Sequence, residues 1–362
     1  MSKAAELANL IGNINAGGGG VNRNVIINGA MNVAQRGTQT SHSSGYTLDR
    51  WNVYTSSAAR FTISQESDVP SGEGFANSIK LDVTTADDSV ASSDFGVFRT
   101  ILEGQDLQSF CKGTSNAKPF ALQFFIKSTV TGTYAIELVD SDNSRAVTKT
   151  YTVDSANTWE KKTITFPADT TGAFTDDNNA SLYIQWGLIM GSNYTSGTAS
   201  GSWESQTTAN RFVGQVNAVN STSNNILFTG IQLEVGQNPT SFEVEPFERT
   251  LAKCQRYYNR HQANTAYDVV CHGHFGSDTQ WFGTYFFPTE MRAEPTLAGS
   301  DTWRIYTGST VPVTSGSLAL TRATTTAMTI ECVTGDNNDE GQGAMMTNNN
   351  DSDAHIEFKA EL

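Results

Sequence analysis

The chain has 362 residues, with 37 acidic against 23 basic side chains for a net charge of −14. That length predicts about two domains with sizeable cores, and a negative field without a polybasic run excludes nucleic acid as the expected partner, because it repels phosphate. No run approaches the roughly 18 apolar residues that a membrane-spanning helix needs, so membrane insertion is excluded too.

Leu7, Leu10, Ile11 and Ile14 form a short amphipathic stripe near the start. About twelve residues seldom hold a helix alone in water, so this one is expected to pack against the body of the protein, sister chains or another protein. Gly17–Gly20 supply a flexible joint, and residues 1–21 together read as an attachment peg. The start lacks the apolar core of a signal peptide, which predicts synthesis in a cytoplasm. Asn-x-Ser/Thr sites at Asn179, Asn193 and Asn220 are then incidental.

Residues 22–244 are punctuated by Gly, Asn, Asp, Ser and Thr, and the short apolar runs between them favour β structure. Strands are predicted near Asn24–Val33, Trp51–Thr55, Phe61–Gln65, Ser78–Val83, Phe95–Leu102, Phe120–Lys127, Thr133–Asp140, Val147–Thr152, Trp159–Pro167, Ser181–Met190 and Asn225–Val235. Tyr134, Ile136 and Leu138 alternate with polar neighbours, as do Leu182, Ile184 and Trp186, so each run buries one face. Many short strands at this spacing predict a β-sandwich or jelly roll. Trp159 and Trp186 read as core, and Trp51, in YTLDRW, as a structural corner.

At Gly236, Asn238 and Pro239 the strand period gives way to turn chemistry, and a helical one follows. Pro246 suits a first helical turn, Glu248 favours the positive end of the helix dipole, and Phe247, Leu251, Cys254 and Tyr258 recur on one face. Residues 245–263 are therefore predicted as a linking helix. From 264 to 362 a smaller β domain follows, with strands near Tyr267–His274, Thr279–Pro288, Trp303–Tyr306, Ala327–Cys332 and Ala354–Ala360. Trp281 and Trp303 are candidate sugar platforms of this domain, but adjacent Phe282 and Ile305 suggest core or subunit contacts instead. The chain is read as all-β: a jelly-roll β-sandwich plus a smaller C-terminal β domain, with a short N-terminal helix and a short linking helix.

Enzyme signatures are missing: there is no G-x-S-x-G elbow, H-E-x-x-H, P-loop or dinucleotide fingerprint. With 37 acids, a carboxylate pair for glycoside hydrolysis proves nothing from sequence, and no enzyme is expected. The four cysteines, Cys111, Cys254, Cys271 and Cys332, are too few and too widely spaced to staple the fold and read as free thiols. Cys271, His272 and His274 form the densest group of soft metal ligands. On a strand the two imidazoles share a face, which three-fold assembly would turn into a zinc, nickel or iron site; metal-free surface histidines are the favoured reading. The acidic, amide-rich loops Thr175–Ala180 and Thr334–Gly341 supply oxygens that suit calcium, although neither follows EF-hand spacing. No cofactor is expected beyond such a structural calcium. For sugars, aromatic platforms beside hydrogen-bonding groups are the signal. Trp203 sits among small polar residues with Tyr194 in the same long loop, so these two are the candidate platforms and Glu204 a candidate hydroxyl acceptor, with a Trp203 packed under its own loop as the favoured alternative.

Three passages carry a resemblance: NRNVIINGAMNVAQRGTQTSHSSGYTLDRW (Asn22–Trp51), IQLEVGQNPTSFEVEPFERTLAKCQRYYNR (Ile231–Arg260) and FFPTEMRAEPT (Phe286–Thr296). In this order they resemble segments of structural proteins of tailed bacteriophages, especially tail-fibre-like proteins of marine phages. Residues from about Ser78 to Leu233 resemble the carbohydrate-binding-module type of jelly roll that such proteins carry. The resemblance implies a virion surface protein, expected as a homotrimeric tail fibre or tail-tip component that attaches to host envelope glycans. The N-terminal stripe would contact other virion proteins, and Phe247, Leu251 and Tyr258 would add attachment or oligomer contacts. A purely architectural virion protein without a receptor contact is one alternative, and a glycan-degrading enzyme is another.

Overall fold

The computed structural model describes residues 2–15, 22–300, 302–313, 318–335 and 338–362, and it divides into two compact units, Met1–Thr250 with Leu362 and Leu251–Glu361. It is mostly β. In chain order the first unit contains helix α1 (Lys3–Asn15), strands β1 (Gln39–His42), β2 (Ser44–Tyr46), β3 (Asn52–Thr55), β4 (Arg60–Glu66), β5 (Ser78–Thr85), β6 (Phe95–Glu103), β7 (Phe120–Ser128), β8 (Gly132–Asp140), β9 (Arg145–Val153), β10 (Glu160–Phe166) and β11 (Ala180–Met190), a one-turn helix α2 (Ser192–Thr195), and strands β12 (Glu204–Ser205) and β13 (Asn225–Val235).

Two sheets result, ordered β1-β4-β5-β13-β7-β10 and β12-β9-β8-β11-β6-β3-β2. Their pairing is nested. Strand β5 pairs antiparallel with β13, β6 with β11, β7 with β10 and β8 with β9, so the outermost strands of the series pair first and the innermost last. This is the strand order of a jelly roll, derived from the pairing itself.

Period-two alternation explains the core. Ile79, Leu81, Phe120, Leu122, Phe124, Ile226 and Phe228 of the first sheet meet Phe98, Ile136, Leu138, Leu182, Ile184 and Trp186 of the second, all buried. At the centre the Phe98 ring stacks 4.8 Å from Trp51 and 4.9 Å from Phe228, and Phe124 meets Trp186 edge-on at 5.6 Å. Burial of each such ring contributes about 1.5–3 kcal/mol.

The predicted strand at Asn24–Val33 is instead an irregular plug. Asn28 and Met31 take left-handed backbone angles that break a strand, while Ile26, Met31 and Val33 still fill the end of the sandwich. The plug is clasped by the segment after β13. Glu243 accepts hydrogen bonds from the backbone N–H groups of Asn22, Arg23 and Asn24 at 2.6–2.9 Å, and Ile231 N donates to Gly29 O at 2.9 Å. A Cβ at Gly29 would lie 2.0 Å from the Ile231 carbonyl oxygen, so the approach requires glycine. At the YTLDRW corner Arg50 is left-handed and the Trp51 Nε1 donates to Asn28 O at 3.0 Å.

One polar cluster is sealed inside this unit. The Lys112 ammonium, fully buried, donates to Asp140 Oδ2 at 2.5 Å, Thr171 O at 3.0 Å and Gly172 O at 2.7 Å, and lies 3.1 Å from Asp169 Oδ2. Arg145 pairs with Asp169 from the other side at 2.8 Å. Burial alone would raise the Asp169 carboxyl, but the hydrogen bonds from Arg145 and Lys112 overcome it and hold it below its ordinary 3.8. A depressed carboxyl stabilises the fold above its unfolded pKa and loses that contribution as pH falls through the folded one. Stability to urea is therefore expected to fall as pH drops below about 4. Asp169→Asn should flatten that part of the profile; equal slopes for both proteins would remove this pair from the account.

Helix α3 (Phe247–Gln255) spans the division between the units. It is shorter than predicted: Tyr258 lies in a strand, β14 (Tyr258–Gln262), rather than on the helical stripe. The adjacent aromatics Tyr257 and Tyr258 are both buried, and Tyr258 pairs with Lys359, so sheet pairing overrides the helical spacing. Phe247 is 51 % exposed, and Leu251 is half-buried.

The second unit continues with β15 (Val269–Phe275), β16 (Gln280–Phe286), β17 (Thr296–Gly299), β18 (Trp303–Tyr306), β19 (Thr310–Pro312), β20 (Ala319–Thr321), β21 (Ala327–Val333), β22 (Gly343–Asn348) and β23 (His355–Lys359). A three-stranded sheet, β14-β23-β17, and a larger one, β19-β18-β22-β15-β16-β21-β20, enclose a core with Trp281, Trp303, Met346 and Phe358. Trp281 and Trp303 are thus core residues. Among the described residues no helix is long and apolar enough to cross a membrane.

Candidate functional site

The outer faces of the two sandwich sheets differ in access. Over the middle of the first sheet, Gln123, Thr229, Gln232 and Glu234 point outward yet are buried, because the chain folds back over them. Phe75 packs edge-on against Phe125 at 5.5 Å and Phe242 at 5.0 Å, and Glu234 accepts hydrogen bonds from Thr240 N and Oγ1. A Cβ at Gly230, whose φ is +62°, would stand 2.6 Å from the Phe75 ring, so the covering depends on that glycine.

On the second sheet most outward side chains are buried as well, Asn52, Gln185, Glu137 and Thr148 among them, but Tyr54 is exposed and Arg99 and Tyr183 are partly so. Register aligns Asn52 of β3, Arg99 of β6, Gln185 of β11, Glu137 of β8 and Thr148 of β9 in one row across five strands. All five alternate with core residues, so they face outward. Arg99 Nε donates to Asn52 Oδ1 at 3.0 Å, and its guanidinium carbon lies 5.3 Å from the Tyr54 ring centre and 5.6 Å from that of Tyr183. The cation is thus held between two aromatic rings, a favourable arrangement for a partly desolvated guanidinium. Burial pulls the Arg99 pKa below its ordinary value. Tyr54 is 39 % exposed, and Tyr183 and Arg99 are half-buried.

Farther along the row, Arg211 clamps Glu137 with Nε and Nη2 at 2.8–3.1 Å, and Gln185 Nε2 adds a bond of 3.2 Å. Burial raises the Glu137 carboxyl while Arg211 opposes that shift. Arg211 also lies 4.9 Å over the Phe95 ring and 6.0 Å from Tyr194. The result is an aromatic, hydrogen-bonding floor without a nucleophile poised beside a base.

Trp203 stands elsewhere, and the reading of it as an exposed platform is corrected. Its side chain is only 9 % exposed, its Nε1 donates to Pro167 O at 2.9 Å, and its ring packs 5.7 Å from Phe120 and 5.0 Å from the Lys112 ammonium. The long polar loop folds over the ring and buries it. Tyr194 is half-buried against Phe95 at 5.0 Å, in the cluster on the outer side of the second sheet, so the structure does not place it with Trp203. Glu204 accepts a hydrogen bond from Asn210 Nδ2 at 3.0 Å. Glu204 and Glu137 line one cavity of about 10 Å³. Room of that size holds about one water. Trp203→Phe should lower stability by about 1–2 kcal/mol through the lost Pro167 bond and contact area, with glycan affinity per folded molecule unchanged; a binding defect without destabilisation would restore the platform reading.

Trp159, read as core, is half-exposed and donates from Nε1 to Asp68 Oδ1 at 2.9 Å, because it precedes the edge strand β10 rather than lying within it. In α1, Leu7 and Ile11 are 57 % and 49 % exposed and Leu10 is half-buried; the Ile14 side chain and the Gly17–Gly20 joint lie outside the described residues. His272 and His274 share the outer face of β15 and are exposed, with Cys271 buried on the other side. In the Thr175–Ala180 loop, Asp177 accepts hydrogen bonds from Asn179 and Thr175, and residues 336–337 of the other acidic loop lie outside the described residues.

Fold and face together define a jelly-roll sandwich with one partly exposed, tyrosine-flanked guanidinium on the outer side of its second sheet. No protein-family model and no curated protein matches the sequence. Among solved structures, the enzymatically active domain of tailspike protein 4 of bacteriophage CBA120 aligns at 15% identity over 59% of this chain and 21% of that chain, with a TM-score of 0.33. A structure described as CBM4 aligns at 13% identity over 57% of this chain and 97% of that one, TM-score 0.28. The family 11 carbohydrate-binding module of a cellulosomal cellulase from Clostridium thermocellum gives 12% identity, 56% and 96% coverage, and a TM-score of 0.28. Likenesses this distant carry no functional argument. The site rests on its own side chains.

Sequence reasoning missed Tyr54, Tyr183 and Arg99. A signal was present: Tyr183 falls between Leu182 and Ile184, and Tyr54 between Val53 and Thr55, each out of phase with the buried positions of its strand. Aromatics on the wrong side of an alternation are the ones that face outward.

Proposed function

We propose that this chain is a virion structural protein of a phage-like particle that binds host surface glycans through the outer face of the second sheet. The observation that carries the glycan reading is the partly exposed Tyr54–Arg99–Tyr183 arrangement, flanked in register by Asn52 and Gln185. Apolar faces of pyranose rings pack on tyrosine, while their hydroxyls need amide and guanidinium partners at the same spot. The three phage-like passages support the virion part. Two of them form the clasp between Asn22–Asn24 and Glu243, which is a structural role. The virion would be the site of action, synthesis would occur in the host cytoplasm, and α1 would join sister chains and neighbouring virion proteins. A homotrimer would multiply weak sugar contacts by avidity. Binding rather than cleavage is proposed, since Arg211 ties down Glu137.

The test is affinity electrophoresis of the full chain through envelope polysaccharides of candidate host bacteria, with mass from light scattering in parallel. Retention by a trimer supports the reading. A well-folded protein that ignores every polymer favours a purely architectural role.

A further inference from the structure

Resting on that reading of the second-sheet face, we infer that the preferred ligand is an acidic glycan whose carboxylate pairs with Arg99. Three observations carry this. Arg99 commits Nε to the neutral Asn52 amide and makes no ion pair among the described residues, so its outer guanidinium nitrogens keep their fork for a ligand. The nearest other cation on the face, Arg211, is already neutralised by Glu137, so the row carries one uncompensated positive charge. Tyr54 and Tyr183 flank that charge within 5.3–5.6 Å and strip part of its water, which strengthens an ion pair formed there.

A neutral glycan would leave this desolvated cation without a counter-charge. A uronate-type sugar satisfies it: the ring lies on a tyrosine and the carboxylate oxygens accept two parallel N–H bonds. The chain as a whole, at −14, repels polyanions, so any preference for an acidic polymer must come from a local feature rather than from the average field.

The experiment compares matched polymers on the full chain: polygalacturonate, alginate and hyaluronate, each beside its carboxyl-reduced counterpart, in titrations at low and high salt. At least one acidic polymer is expected to bind about tenfold tighter than its reduced form, with the gap shrinking as salt rises. Arg99→Gln should erase that gap by weakening the acidic polymer about tenfold more than its reduced form, while Arg99→Lys, a charge without the fork, restores only part of it. Equal binding of both members of every pair, or a preference that survives Arg99→Gln, overturns the inference while leaving the platform intact. If neither acidic nor reduced polymers bind, the platform reading falls and the inference falls with it.

Discussion

Replacing Lys112 with Met is expected to lower the unfolding free energy by about 3–5 kcal/mol, the cost of leaving a buried counter-charge without its partner. The side chain has no exposed surface, and its ammonium sits among two carboxylate oxygens and two carbonyl oxygens. Methionine fits the volume but supplies no donor. Asp140, Thr171 and Gly172 would then face an apolar thioether, and Asp169 would keep Arg145 and the Thr171 backbone N–H. Urea unfolding followed by tryptophan fluorescence reads the effect, helped by Trp203 lying 5.0 Å from the ammonium. Adding Asp140→Asn to Lys112→Met should recover part of the loss, because it removes the stranded charge. A single-variant loss under about 1 kcal/mol would show that water reaches the cluster and that the pair behaves like a surface one.

The second large effect concerns binding. Tyr54→Ala with Tyr183→Ala is expected to weaken glycan affinity about 100-fold, from roughly 1.5 kcal/mol for each ring. Both rings pack on the same Arg99 guanidinium, so the two losses are coupled, and each single variant measured beside the double one gives the size of that coupling. Both point away from the core, so the thermal transition should move little. Affinity measured by titration with the tightest polymer decides it: a change below about threefold would mean that sugars, if bound, contact another surface.

How much of this was legible beforehand depends on distance along the chain. The strands of the sandwich follow from local alternation, and Trp186 falls in the core where its phase with Leu182 and Ile184 puts it. Short-range spacing misled at Tyr258, which fits a helical stripe but is claimed by β23. It misled again at Asn24–Val33, where apolar content mimics a strand and left-handed turns break it. Spacing leaves Trp203 open between platform and packed ring because its loop carries no alternation, and the carbonyl that receives its N–H belongs to the distant Pro167. The Lys112 cluster draws partners from the ends of β8 and the loop after β10, so no sequence window contains it. Arg99 shows the same limit for function: its rings come from β3 and β11, and only the register of three paired strands brings them together.

The measurement that tests the central claim most directly is a crystal structure of the chain saturated with an oligosaccharide of its tightest-binding polymer. The account predicts a sugar ring against Tyr54 or Tyr183, with an acidic substituent on the Arg99 guanidinium and hydroxyls on Asn52 or Gln185. A saccharide bound instead beside Trp159 on the first sheet, or on the second unit, with the second-sheet face empty, would contradict it.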